Sequence, residues 1–136
     1  MPSLPTVTRA FDILPYQLAA YPKPDAIAWK ENGTWQRWST QEVIDRATAL
    51  SYGLLRLGVQ ANDKVAIVSL SRPEWVLSDF GIQQTGATTV PMYPTITVED
   101  YRHILKDAGV QVALCSTKDI AGKLREAGGP SLKIYC

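Results

Sequence analysis

Lys64-Val65-Ala66-Ile67-Val68-Ser69-Leu70 is a short, nearly continuous apolar run rich in β-branched residues, the pattern of a strand covered on both faces. Three further runs follow, Ala87-Thr88-Thr89-Val90, Val110-Gln111-Val112-Ala113-Leu114-Cys115 and Leu132-Lys133-Ile134-Tyr135. Their starts lie 23, 23 and 22 residues apart. Between them fall helical patterns. Pro73-Glu74 suits a first turn and Trp75, Val76, Phe80 and Ile82 carry the helix to Gly86. Thr97 caps a helix with Tyr101, Ile104, Leu105 and Ala108, stopped by Gly109, and a last helix spans about Lys118 to Ala127. A regular strand-helix-strand beat predicts a mainly parallel sheet with helices on both faces, an α/β three-layer sandwich.

Upstream, Ala26-Ile27-Ala28-Trp29-Lys30 and Trp35-Gln36-Arg37-Trp38 flank Asn32-Gly33, which adopts the positive φ angles of a tight turn and predicts an N-terminal β-hairpin. Ser39 and Glu42 form a capping box. After it, Val43, Ala47, Leu50, Leu54 and Leu57 make one apolar stripe, ended by Gly58. Before the hairpin, the spacing from Val7 to Ala20 predicts a helix kinked at Pro15.

With 136 residues, the chain is one unit. Lys+Arg 14 against Asp+Glu 13 leaves no excess charge for nucleic acid, and no apolar run approaches the roughly 20 residues of a membrane span. The opening residues lack a secretory pattern, so a cytoplasmic protein is expected. Cys115 and Cys136 are too far apart for a CxxC pair and read as reduced, structural thiols. His103 has no co-ligand at metal-binding spacing and reads as a helix-face residue. Trp29, Trp35, Trp38 and Trp75 read as packing groups. No GxGxxG follows the first parallel strand, no Walker loop occurs, and acidic residues for a phosphoacceptor site are missing from its end.

Ligands of open parallel sheets bind beyond the carboxyl ends of the strands, here Ser69 to Pro73, Pro91 to Thr97 and Ser116 to Lys118. Lys118, Lys123 and Arg125 are candidates to cluster at the start of the last helix, where an anion would be met by cations and free N–H groups, although solvated surface charge is the blander reading.

Trp38-Ser39-Thr40-Gln41-Glu42-Val43 and Gln84-Thr85-Gly86-Ala87-Thr88-Thr89-Val90-Pro91, followed by Tyr93-Pro94-Thr95, resemble the first two core motifs of adenylate-forming enzymes, with long-chain acyl-CoA synthetases nearest. Trp38 and Thr40 depart from the Leu-Ser-Tyr-x-Glu-Leu form of the first motif. The resemblance implies that residues 1–136 are the N-terminal subdomain of an enzyme several times longer, with the ATP-binding phosphate loop and the mobile C-terminal domain absent. The intact relative would use ATP and magnesium to convert a fatty acid to an acyl-adenylate, then transfer the acyl group to coenzyme A. This chain alone is expected to be inactive and to hold no cofactor tightly. By the same resemblance Tyr93, Pro94 and Thr95, with Lys118 and Lys123, border the coenzyme A nucleotide, and the enzyme is cytoplasmic or peripheral to the membrane. Two other readings stand beside it. One is a self-sufficient flavodoxin-like module binding a nucleotide or partner; the other is an assembly surface forming a homo-oligomer through exposed apolar area.

Overall fold

The computed structural model describes residues 3–136. Residues 7–9 do not join the first helix, because the Asp12 carboxylate accepts the N–H groups of Thr8 (3.1 Å) and Arg9 (2.8 Å) that a helix would need. A 3₁₀ turn at Ala10–Asp12 leads into α1 (Ile13–Ala20). Pro15 therefore sits in the first turn of α1, where its missing N–H has no partner to lose, and the expected kink gives way to a start.

Asp12 is also paired with Arg9 at 2.8 Å, and these bonds hold its carboxyl far below the ordinary value of 3.8. A depressed folded-state pKa contributes stability that is present above the unfolded value and is lost as pH falls below about 4. Acid titration of the folded chain should loosen this amino-terminal turn first. Asp12→Asn should remove that acid sensitivity, read by amide exchange at Thr8 and Arg9; an unchanged exchange profile would sink the assignment.

The hairpin pairs β1 (Ile27–Glu31) with β2 (Thr34–Trp38). Asn32 (φ 48°) and Gly33 (φ 79°) take the left-handed conformations of a type I′ turn. In this register Ile27 and Trp29 share a face with Gln36 and Trp38, and the rings of Trp29 and Trp38 meet edge to face at 4.8 Å. They pack with Leu14 and Val43 in a satellite core that fastens the hairpin to α1 and α2. Trp35 lies on the other face and is 60% exposed, so it is not a packing group as expected.

Helix α2 (Thr40–Arg56) starts with the predicted box: the Ser39 N–H donates to Glu42 (2.7 Å) and the Glu42 N–H to the Ser39 hydroxyl (3.2 Å). The rest of the chain alternates β3 (Lys64–Val68), α3 (Pro73–Gln84), β4 (Thr88–Met92), α4 (Val98–Ala108), β5 (Val112–Cys115), α5 (Lys118–Gly128) and β6 (Lys133–Tyr135). The four strands form one parallel sheet in the order β4-β3-β5-β6. Strand β4 extends past Val90 through Pro91, which an interior strand would not tolerate; β4 is an edge and needs only one row of donors.

Alternation along β3 divides the core. Val65 and Ile67 pack with Leu54 and Ile82 under α2 and α3, whereas Ala66 and Val68 pack with Tyr101, Leu105, Ile120 and Leu124 under α4 and α5. These are the three predicted layers. The two helices above β3 meet closely at Gly81, and the Ser51 hydroxyl lies 2.9 Å from the Gly81 carbonyl oxygen there. Among the described residues no helix is long and apolar enough to cross a membrane.

Candidate functional site

Register puts Val68 beside both Met92 and Cys115, so β3, β4 and β5 end level and their loops fan out from one edge of the sheet. This is the edge where a parallel sheet offers free backbone groups and helix starts to a ligand. Two clefts open there. The larger, about 610 Å³, lies between the β3–α3 loop and the β4–α4 loop, with Ser69, Ser71 and Arg72 on one wall, Tyr93, Pro94 and Thr95 on the other, and Trp75 between them. The smaller, about 220 Å³, lies between the β3–α3 and β5–α5 loops and is lined by Ser69, Arg72 and Ser116 among others.

The Tyr93 ring is 78% exposed, yet its backbone is fixed: the Tyr101 hydroxyl, carried on α4 inside the core, donates to the Tyr93 carbonyl oxygen at 3.0 Å. Burial pushes the Tyr101 phenol up, so it stays a donor. The result is an aromatic face held at the cleft mouth by a buried post. Arg72 stands between the two clefts. Its guanidinium grips Glu74 (3.2 and 3.4 Å) and donates to the Ser116 carbonyl oxygen at 3.5 Å, tying two loops together.

Of the residues singled out in the sequence, the structure brings Tyr93, Pro94 and Thr95 onto one cleft wall and leaves Lys118 and Lys123 apart from it. Lys118 is the first residue of α5 after the Thr117 cap, whose hydroxyl accepts the Ile120 N–H at 3.2 Å; it lies on the same edge of the sheet but lines neither cleft. Lys123 is five positions further on and Arg125 is in the last turn, so the three cations form no cluster at the helix start. Ser69, Ser71 and Arg72 were not chosen as site residues, although the strand-end rule pointed to their loop, and Trp75, read as a packing group, also lines both clefts. His103 is exposed on α4.

The set of donors suits part of a nucleotide. A planar ring could stack on Tyr93, and the Ser116 hydroxyl oxygen, buried without a partner, marks a polar position beside Arg72. A triphosphate is not matched. The single cation in the clefts is already shared with Glu74, and no glycine-rich turn brings backbone N–H groups together after β3.

The sequence profile of the family described as AMP-binding enzyme matches residues 16–135. The chain belongs to the AMP-binding enzyme family. Among AMP-binding relatives, the long-chain-fatty-acid–CoA ligase FadD15 of Mycobacterium tuberculosis is 36% identical over 114 residues, which cover 81% of this chain and 19% of that protein. The uncharacterised protein Rv1549 of the same organism is 29% identical over 121 residues, covering 89% of this chain and 69% of that one. A solved structure of the anthranilate CoA ligase AuaEII in complex with anthranoyl-AMP superposes with TM-score 0.79 at 25% identity, over 97% of this chain and 26% of that chain. The chain thus matches the N-terminal region of long-chain fatty acid–CoA ligases and spans about a fifth of their length. These matches favour an adenylate-forming domain over a flavodoxin-like module.

Proposed function

We propose that residues 1–136 are the N-terminal subdomain of a long-chain fatty acid–CoA ligase. The full-length enzyme activates a fatty acid with ATP and magnesium to an acyl-adenylate, releasing pyrophosphate, and passes the acyl group to the thiol of coenzyme A. The observation that carries this reading is the likeness to FadD15 along most of this chain. The reading assigns the enzyme to the cytoplasm or the membrane periphery.

Within that enzyme this subdomain contributes a wall. Tyr93 stacks on the adenine of coenzyme A, Pro94 and Thr95 border it, and Lys118 and Lys123 act as neighbouring cations toward its phosphates. The phosphate-binding loop and the C-terminal domain lie outside these residues, so this chain alone forms no acyl-CoA. The test is calorimetric titration with coenzyme A and, separately, ATP, alongside an acyl-CoA assay. Coenzyme A is expected to bind the chain only weakly, ATP is not expected to bind, and no turnover is expected. Tyr93→Ala should weaken coenzyme A binding by about tenfold or more, the scale of one base stacked on an aromatic ring. Lys118→Ala measures the cation separately. Coenzyme A affinity indifferent to Tyr93→Ala would refute the stacking role, and acyl-CoA formation by this chain would refute the division of labour.

A further inference from the structure

The two cysteines are 21 residues apart in the chain and next to each other in the fold. Strands β5 and β6 pair with Ala113 beside Ile134 and Leu114 beside Tyr135, and one more position along this register sets Cys136 opposite Cys115. The side faces agree. Ala113 and Ile134 both belong to the core under α4 and α5, and Cys115 packs on that same core, so the two-residue period carries Cys136 to that face as well. Facing residues of adjacent strands are about 5 Å apart at Cα, inside the roughly 4.4–6.8 Å that a disulfide spans. Both thiols are free, as their reading as reduced thiols expects.

We propose that Cys115 and Cys136 form a reversible cross-strand disulfide, a redox-modification site that joins β5 to the residue after β6. The oxidant is a peroxide. Cys136 is exposed and reacts first: its thiolate attacks hydrogen peroxide, an S–O bond forms, the O–O bond breaks, and the departing hydroxide takes up a proton as water. The Cys115 sulfur then attacks the sulfenic sulfur of Cys136. The S–S bond forms, the S–O bond breaks, and the leaving hydroxide accepts the Cys115 proton. Two thiols and one peroxide give one disulfide and two waters, with two electrons passing from sulfur to oxygen. A dithiol reductant reverses the change.

The division of roles follows from the surroundings. Cys115 is half-buried, and burial together with the neighbouring Cys136 pushes its thiol up to about 12, so the exposed Cys136 meets peroxide first; the resolving role of Cys115 rests on its place opposite Cys136 in the strand register.

The experiment uses the reduced 136-residue chain with stoichiometric hydrogen peroxide, followed by thiol counting, intact mass and a non-reducing peptide map. The expected result is loss of both thiols and of two hydrogens, a cross-linked pair of peptides containing Cys115 and Cys136, an unchanged monomer mass otherwise, and full recovery with dithiothreitol. In Cys115→Ser the Cys136 sulfenic acid should persist and be trapped by dimedone. Should that variant fail to fold, phenylarsine oxide titration of the unaltered folded chain replaces it, and one arsenic per chain should block both thiols. Peroxide that over-oxidises Cys136 while Cys115 stays reduced, disulfides formed only between two chains, or an arsenical that leaves one thiol free would each overturn the proposal.

Discussion

Tyr101→Ala is expected to lower the unfolding free energy by about 3–5 kcal/mol, the range for removing a buried aromatic ring. Tyr101 is 0% exposed and sits at the centre of the core formed by Val68, Met92, Leu105 and Leu124. No neighbouring backbone can close the space, since β3 on one side and α5 on the other are fixed by their own partners. A domain of this size has a total stability of about 5–15 kcal/mol, so this one change removes a large share of it. Tyr101→Phe separates the ring from its hydroxyl. It keeps the packing, loses the bond to the Tyr93 carbonyl oxygen, and should cost about 1 kcal/mol. Urea denaturation gives both values. Amide exchange in the β4–α4 loop should quicken in the phenylalanine variant, because the post under Tyr93 is gone. An alanine variant within 1 kcal/mol of the parent would show that the core rearranges in a way the packing does not suggest.

Gly81→Val should cost about 2–3 kcal/mol, for the opposite reason of too much volume. A Cβ built at Gly81 lies 2.9 Å from Leu50 Cδ2 and 3.0 Å from the Ala47 carbonyl oxygen. The leucine tip can turn away; the carbonyl belongs to the α2 backbone and cannot. Valine adds two methyl groups to that conflict and pushes α3 off α2. Gly53 is the control. It too lies inside a helix, in α2, and a Cβ there meets nothing within 4 Å, so Gly53→Ala should gain up to about 1 kcal/mol from helix propensity alone. Denaturation midpoints of the two variants should move in opposite directions, and equal shifts would refute the close-contact account.

What could be read from the sequence was what local chemistry dictates. Asn32-Gly33, the Ser39–Glu42 box, the Thr97 cap and the Gly109 stop each satisfy backbone groups within a few residues, so their outcome needs no knowledge of the fold. The apolar beat after Gly58 predicted the layers for the same reason, since period-two and period-four patterns record which side is buried. The failures mark distant or competing contacts. A side chain, Asp12, outcompeted helix formation at Thr8 and Arg9. Pro91 looked like the end of a strand until topology made β4 an edge. Trp35 and Trp38 have the same composition and opposite fates, because the pairing with Lys30 or Ile27 decides the face.

The site was legible as a location and less so as a set of residues. Tyr93 to Thr95 were found because a strand end followed by a turn places side chains over the sheet edge. The lysines failed to converge because five helical positions turn a side chain through about 140° net, away from its predecessor. Arg72 lay in a loop marked as a ligand edge but was given no role, because its partner Glu74 is local and its other contact, Ser116, lies on a loop 44 residues away.

The edge position of Pro91 has a consequence for the protein in concentrated solution. An edge strand exposes a row of backbone groups, the usual template for fibrous aggregation by strand addition. On β4 that row is broken by a residue with no N–H to offer. An incoming strand finds too few donors in sequence to continue the ladder there, so the β4 side of the sheet resists templated growth.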